Sequence, residues 1–404
     1  MTLPKTICIL PWVSIETSPV GTVRPCCMAI DEIVDKKGNK FDLTQTDLET
    51  VYQSEYMQQL RQDFREGKKP TTCKRCWDEE EAGISSKRIN TKVRLKEWIE
   101  KIDFQNNNPN QLWFLDLKLG NICNLKCRIC GSWSSSKWAE EEMNYLPKTV
   151  DKKTHIAYTW LKQGQWPRKT KTFWDNLRKL IKEIRYFEFT GGEPWLIQEH
   201  FDLLQFAVEE GFAKDIEIHY NTNATTWDES FVDIWKHFKR VDIAFSIDNV
   251  GERFEYERYG AKWDKANEII DRVMQLQLEN SVFTTQLCFT INTLNIYYIA
   301  ELLEWADTKK FGNIHFNILH SPEEFSIQTI PEEAKKKISN YLITRDFKVR
   351  HRTEVNKIIK FMKNGQSSDG EGFKQRVAQT DQYRNQSLWS THSELAEIMG
   401  YAKT

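Results

Sequence analysis

The sequence predicts an α/β chain: a partial (β/α)6 TIM-like barrel with a small cysteine-bearing domain before it and a helical cap after it. From Leu112 onward, six apolar strand-like runs alternate with amphipathic helical stretches. Nine cysteines fall into two groups with one left over. After Ser321 the chain turns polar and helical. Repeated βα units with right-handed crossovers curl into a parallel barrel or an open part of one, and the chemistry of such barrels gathers at the carboxyl ends of the strands.

The expected strands are Leu112 to Leu119, Tyr186 to Thr190, Ile216 to Asn221, Val241 to Ile247, Phe283 to Ile291 and Ile314 to Leu319. Between them Phe173, Leu177, Leu180, Ile181 and Ile184 recur at helical period, as do Leu302, Leu303 and Ala306, and Gly211 reads as a helix stop. The asparagine-rich run Asn106 to Asn110 reads as a loop and a domain boundary. This divides the chain into a small domain over 1–84, a linker over 85–110, the barrel over 111–320 and a helical extension over 321–404, with Pro331 opening a Glu/Lys-rich helix. Tyr145 to Thr172 is long for a βα connection and carries Trp160, Trp166, Arg168, Lys169 and Lys171, so it is expected to line a substrate channel.

Composition removes several function classes. With 57 Lys and Arg against 58 Asp and Glu, the chain lacks the basic excess of a protein that lives on nucleic acid. No apolar run approaches the roughly 18 residues that span a bilayer, and the opening MTLPKTICILPW is broken by Pro4 and Pro11. The expectation is therefore no membrane, no nucleic-acid partner and a reducing, cytoplasmic compartment, in which clustered cysteines serve metal rather than disulfides.

Cys123, Cys127 and Cys130 form a C-x3-C-x2-C triplet just after the first barrel strand. Three thiolates on one tight loop can hold three irons of a cubane cluster and leave the fourth iron open; on spacing alone, a three-thiolate zinc site completed from elsewhere remains the alternative. Gly191, Gly192, Glu193 and Pro194 follow the second strand. Adjacent glycines let a ligand approach the backbone, and Glu193 can accept hydrogen bonds from an ammonium.

With these two motifs in strand order, the chain resembles the radical S-adenosylmethionine (radical SAM) enzymes from about Leu112 to Leu319. The resemblance implies that Cys123, Cys127 and Cys130 hold a 4Fe-4S cluster whose open iron is chelated by SAM. It implies that Gly191, Gly192, Glu193 and Pro194 orient the SAM amino group. Thr222, Asn223 and Ala224 match a Thr-Asn-Gly motif of many members, and Ser246 and Asp248 close the fourth strand; Ser246 is the candidate contact to the SAM ribose or carboxylate, and Asn292 after the fifth strand is a further candidate. Ile129 stands where the family usually has an aromatic residue, and its aliphatic side chain can still pack beside adenine.

Cys8, Gly21, Cys26, Cys73 and Cys76 are similar to the SPASM/Twitch pattern of auxiliary iron-sulfur domains, here placed before the barrel rather than after it. Gly21 would turn the hairpin that returns Cys26 to Cys8. Adjacent Cys26 and Cys27 do not both face one cluster easily; the Gly-x4-Cys spacing favours Cys26, and Cys27 stays a candidate ligand. A zinc knuckle from Cys8, Cys26, Cys73 and Cys76 is the alternative to the auxiliary 4Fe-4S cluster. Cys288 is expected to be a core thiol, and His219, His315 and His320 to be structural.

The resemblance implies reductive cleavage of SAM to a 5'-deoxyadenosyl radical that abstracts hydrogen from a substrate. The leading substrate class is a peptide or protein undergoing modification, with the auxiliary cluster handling an electron and a flavodoxin- or ferredoxin-type protein as one-electron donor. The alternatives are a small molecule (a sugar, nucleotide or cofactor precursor) and, more remotely, a non-catalytic zinc-binding interaction protein.

Overall fold

The computed structural model of the chain describes residues 3–81, 83 and 85–401, so residue 84, where the small domain was expected to end, lies outside the described residues. The chain forms two compact units, each assembled from several segments. The first comprises Met1–Cys123, Ser132–Tyr220 and Asp228–Val241, and the second Asn124–Gly131, Asn221–Trp227 and Asp242–Thr404.

The first unit is organised on strands β1 (Ser14–Thr17), β2 (Val23–Arg24), β3 (Phe114–Lys118), β4 (Tyr186–Thr190) and β5 (Glu217–Thr222), in the order β2-β1-β3-β4-β5. β1 and β2 form an antiparallel hairpin; β1 with β3, β3 with β4 and β4 with β5 are parallel. Strand alternation sends Leu115, Leu117, Phe187, Phe189, Ile218 and Tyr220 to one face, all fully buried. There Phe189 stacks 5.3 Å from Tyr220, and Phe201 on the helix Gln198–Glu209 stacks 4.2 Å from Phe231 on the helix Ser230–Trp235. Burial of each such ring contributes about 1.5–3 kcal/mol.

The opposite face alternates in the complementary register and carries Phe114, Asp116 and Lys118 on β3. It is covered by the helix Lys87–Arg94, whose Lys87 lies over the ring of Phe114 at 5.8 Å and whose Arg94 lies over Tyr186 at 4.5 Å. The amino-terminal segment therefore shares the sheet of the barrel strands. Its neighbouring loop is pinned as well: the guanidinium of Arg61, fully buried, donates to the carbonyls of Pro11, Tyr52 and Asn107 at 2.7–2.8 Å, and the Trp12 indole donates to Asn106 at 3.2 Å.

The second unit contains β6 (Arg240–Ser246) from Asp242 onward, β7 (Phe283–Ile291) and β8 (Asn313–Ile318) in that order, with β7 and β8 parallel from Gln286 opposite Asn313 to Ile291 opposite Ile318. All six expected strands are present with ends within two residues of those read from the sequence. On β7 the odd-numbered residues from Phe283 to Ile291 are buried, while Thr284, Gln286, Cys288 and Thr290 are half-buried. Cys288 is therefore not a core thiol: period-2 alternation puts it on the polar side of the strand, opposite His315. After Pro331 the extension is helical throughout, with helices Glu332–Thr344, Val349–Asn364 and Glu371–Arg384 and two shorter ones. Among the described residues no helix is long and apolar enough to cross a membrane.

Candidate metal and cofactor sites

Four of the amino-terminal thiols come together. Cys8 precedes the short helix Leu10–Val13 that leads into β1. The hairpin after β1 is closed by the Ser18 amide donating to the Thr22 carbonyl at 2.7 Å, with Gly21 at φ +90, a conformation that favours glycine, and β2 then delivers Cys26. Cys73 ends one helical turn and Cys76 lies in the helix Lys74–Glu81 that follows, so a spacing of three places both on one side. Cys8, Cys26, Cys73 and Cys76 line one pocket with Leu10, Phe64, Lys87 and Arg88. Burial and the neighbouring thiols push the Cys26 thiol up to about 12 and raise those of Cys8 and Cys73 as well. Buried thiols that repel one another as thiolates fit a group that brings positive charge, as an iron-sulfur cluster or zinc does.

Cys27 is not part of that pocket. The two cysteines lie in the turn after β2, closed by the Ala29 amide donating to the Cys26 carbonyl at 3.1 Å. The Cys27 thiol, raised by burial, instead has Lys87, Asp116 and Glu188 as its nearest charges, on the polar face of the sheet.

That face carries a row of polar and charged residues that belongs to none of the sequence motifs. Parallel register sets Glu16 opposite Asp116, Asp116 opposite Glu188 and Glu188 opposite His219, on β1, β3, β4 and β5. Glu16 accepts a bidentate pair of 2.7 Å bonds from Arg24 and one of 2.5 Å from Lys118, and Lys87 donates to both oxygens of Glu188 at 3.0 and 3.2 Å. Asp116 accepts from the hydroxyl of Thr190 at 3.4 Å, its one side-chain hydrogen bond among the described residues. Burial, then Glu188 and Glu16, raise the Asp116 carboxyl; against its own burial, Glu188 is held low by Lys87 and His219. Three of the four members carry a sequence signal, a polar residue at the centre of an apolar strand, in Leu-Asp-Leu, Phe-Glu-Phe and Ile-His-Tyr; Glu16, in Ser-Ile-Glu-Thr, does not.

The loop after β3 and the loop after β4 meet through backbone. Gly120, at φ +83, packs so closely that a Cβ there would stand 2.0 Å from the Gly164 carbonyl oxygen. Asn121 is fully buried, its amide nitrogen donating to the carbonyls of Ser132 and Trp160 and its backbone N–H to Gly164. The insertion that carries Trp160 thus braces the loop that ends in Cys123. Gly191 and Gly192 have φ +73 and +44, and a Cβ at Gly192 would stand 2.2 Å from the Ile122 carbonyl oxygen, which instead accepts the Glu193 amide at 2.8 Å. Glu193 is fully buried, and its carboxylate accepts the Trp195 amide at 3.2 Å in the turn opened by Pro194.

Cys123 belongs to the first unit; Cys127 and Cys130 belong to the second. Lys126–Cys127 pairs antiparallel with Arg258–Tyr259, and the Cys130 amide donates to the Cys127 carbonyl at 3.0 Å. The Cys127 thiol is lowered first by the hydrogen bond from Cys130 and, against burial, by Arg258, whose guanidinium is 3.9 Å from its sulfur. Arg258 also pairs with Asp248 at 2.6 Å, and Asp248 accepts the Thr290 amide at 2.9 Å. Asn223 donates to the side chain of Asn124 at 3.0 Å and accepts from Thr225. Asn292 directs its amide to its own loop, donating to Thr290 and accepting from Leu294. Ser246 and Ile129 are half-buried at the strand end and in the cysteine loop. Two cysteines on one loop with a guanidinium beside Cys127, and a buried Glu193 on a Gly-Gly turn packed against the loop that ends in Cys123, fit the donor set of a cluster and of an amino-acid ligand.

On the surface of the first unit, a groove of about 710 Å³ is lined by Val20, Thr22, Asp42, Lys162, Trp166, Lys169 and Lys171. None of the three lysines pairs with a carboxylate among the described residues.

Two family models match the chain: the radical SAM superfamily over residues 117–306, and SPASM, an iron-sulfur cluster-binding domain, over residues 8–77. No curated protein matches. Among solved structures, native anSMEcpe with bound AdoMet is 17% identical with a TM-score of 0.38, over 57% of this chain and 59% of that one. Streptococcus suis SuiB is 13% identical with a TM-score of 0.37, over 85% of this chain and 68% of that one. SuiB bound to its precursor peptide SuiA is 15% identical with a TM-score of 0.36, over 67% and 58%. The chain thus spans about three fifths of the length of the first of these structures.

Proposed function

We propose that the chain is a radical SAM enzyme with an iron-sulfur domain ahead of the barrel, a reading supported by the family models that match residues 117–306 and 8–77, and that it modifies a peptide or protein substrate by hydrogen abstraction. SAM with a 4Fe-4S cluster supplies a 5'-deoxyadenosyl radical, and an auxiliary cluster supplies a one-electron acceptor. In this reading Cys123, Cys127 and Cys130 hold the first cluster, and Cys8, Cys26, Cys73 and Cys76 the second. Glu193 binds the SAM ammonium, the Gly191–Gly192 backbone lets that ligand approach, and Arg258 with Asp248 fixes the strand that carries Cys127. Ser246, Asn223 and Ile129 remain proposed SAM contacts. A zinc knuckle lacks support, because the model matching the amino-terminal cysteines is an iron-sulfur one.

The observation that carries the auxiliary role is the pair Cys26–Cys27. One thiol lines the four-cysteine pocket, while the next lies outside it and feels the charges of Lys87, Asp116 and Glu188. The open groove, whose Lys162, Lys169 and Lys171 outnumber its Asp42, supports a peptide, because an extended acidic segment fills such a surface better than a small molecule does.

The test is anaerobic reconstitution with iron and sulfide counting and electron paramagnetic resonance, for the wild type and a Cys123/Cys127/Cys130→Ala variant. About eight irons should fall to about four, and the SAM-dependent spectral change should vanish with them. Acidic peptides should raise 5'-deoxyadenosine release in the wild type. Release raised by sugars or nucleotides instead would sink the peptide assignment.

A further inference from the structure

The cysteine loop of the second unit is gripped from the carboxy-terminal extension. Arg128 stands between Cys127 and Cys130 and is 1% exposed. Its guanidinium donates to the Asp381 carboxylate at 2.5 Å, to the Gln386 side-chain oxygen at 2.9 Å and to the Tyr256 carbonyl at 3.1 Å, and it lies 3.6 Å from the centre of the Tyr256 ring. Asp381, on the helix Glu371–Arg384, also accepts from the Tyr256 hydroxyl at 2.9 Å and from the Leu388 amide at 2.8 Å. One turn further along that helix, Arg384 lies 4.8 Å over the ring of Tyr259, the strand partner of Lys126.

Local structure does not hold this loop by itself. Its strand pairing amounts to Lys126 opposite Tyr259 and Cys127 opposite Arg258, with the Arg128 amide donating to the Glu257 carbonyl at 2.7 Å beyond them, still far below the length at which a two-stranded ribbon is stable in water. A buried guanidinium that loses its carboxylate is driven toward solvent, and Arg128 cannot move outward without dragging the two flanking cysteines. We propose that the helix Glu371–Arg384 is a latch on the cysteine loop, with Asp381 the positioning residue that fixes Arg128 and through it the placement of Cys127 and Cys130. That the loop holds a cluster rests on the function proposed above; that it is latched does not.

The test uses the full chain without iron. Trypsin cuts after Lys126 and Arg128, and cleavage mapped by mass spectrometry reads how often the loop opens. Asp381→Ala should speed cleavage at both positions on the order of a hundredfold. Asp381→Glu should restore part of the protection, and Glu324→Ala, which removes an ion pair to Arg376 on the same helix, should leave the rate unchanged. Exposed Lys214 in the first unit is the internal control. An Asp381→Ala rate within about twofold of wild type, or an equal rise at Lys214, overturns the latch. Asp381→Asn, which keeps the side-chain shape, is read the same way and decides the matter if the alanine variant unfolds. After reconstitution, Asp381→Ala should lose the SAM-induced spectral change while keeping about four irons at Cys8, Cys26, Cys73 and Cys76. A chain that bound no iron would still give the tryptic result, so failure of the cluster assignment and failure of the latch read differently.

Discussion

The backbone amide of Glu193 donates a 2.8 Å hydrogen bond to the carbonyl of Ile122, the residue before Cys123. A cysteine of the C-x3-C-x2-C triplet and the acidic residue of the Gly-Gly-Glu-Pro motif are thereby fixed to one another by main chain, although 70 positions separate them in the sequence. Gly192 makes the contact feasible, because any Cβ there meets the same carbonyl oxygen at 2.2 Å from a left-handed backbone of φ +44. Gly192→Ala should therefore lose SAM affinity and 5'-deoxyadenosine formation together, and should cost more stability than the about 1–2 kcal/mol of the backbone strain alone. Gly38→Ala, at φ +82 with nothing within 4 Å, isolates that strain. Equal losses of melting temperature in the two variants would mean that the close approach to Ile122 is unimportant.

Cys26 and Cys27 should part company on substitution. Cys26→Ala removes a thiol from the four-cysteine pocket and should cost about four irons; Cys27→Ala leaves that pocket intact and should keep the full iron count. If Cys27 has a part in turnover through its place beside Lys87, Asp116 and Glu188, the second variant should show full metal content and altered product formation. Iron loss in Cys27→Ala equal to that in Cys26→Ala would reverse the ligand assignment.

The contrast between these neighbours shows what sequence pattern can and cannot carry. The six barrel strands were legible because an apolar run with period-2 alternation needs no knowledge of its partner, and the cysteine motifs because spacing along the chain is itself the signal. β1 was not legible: Ser-Ile-Glu-Thr is four residues long, buried on both faces and paired with a strand about 100 residues away. Of the row Glu16, Asp116, Glu188 and His219, the last three were visible residue by residue, but the alignment depends on register between strands, which no local pattern encodes. Arg128 and Asp381 lie 253 positions apart. The run Asn106 to Asn110 was correctly read as a loop, yet its tie to Arg61 and Trp12 depends on tertiary packing alone.

Ala224 offers a gain in stability. It has φ +58, a left-handed conformation in which a Cβ is strained, at the position where the resembling motif carries glycine. Ala224→Gly should stabilise the chain by up to about 1 kcal/mol, because relief of that strain exceeds the extra chain entropy of glycine. Urea unfolding of the two proteins measures the difference. A destabilised glycine variant would show that methyl packing at this fully buried position outweighs the backbone.

Glu257 should make stability fall as pH rises. It is buried, with Asn249 donating to it at 2.8 Å and His392 at 3.4 Å, and Arg253 and Arg258 are its nearest cations. Burial lifts its carboxyl from 4.5 to about 7, while burial and Arg253 hold His392 neutral. The folded chain therefore keeps a proton that the unfolded chain has released. The stability this contributes is complete below pH 4.5 and is lost as pH climbs through about 7, a swing of about 3 kcal/mol. Glu257→Gln has no proton to lose there and should remove the slope, so the variant gains on the wild type between pH 5 and pH 8. Denaturant melts of both proteins at the two pH values measure that gain. Parallel changes would mean that Glu257 is ionised in the fold and that the arginines, not the proton, answer its charge.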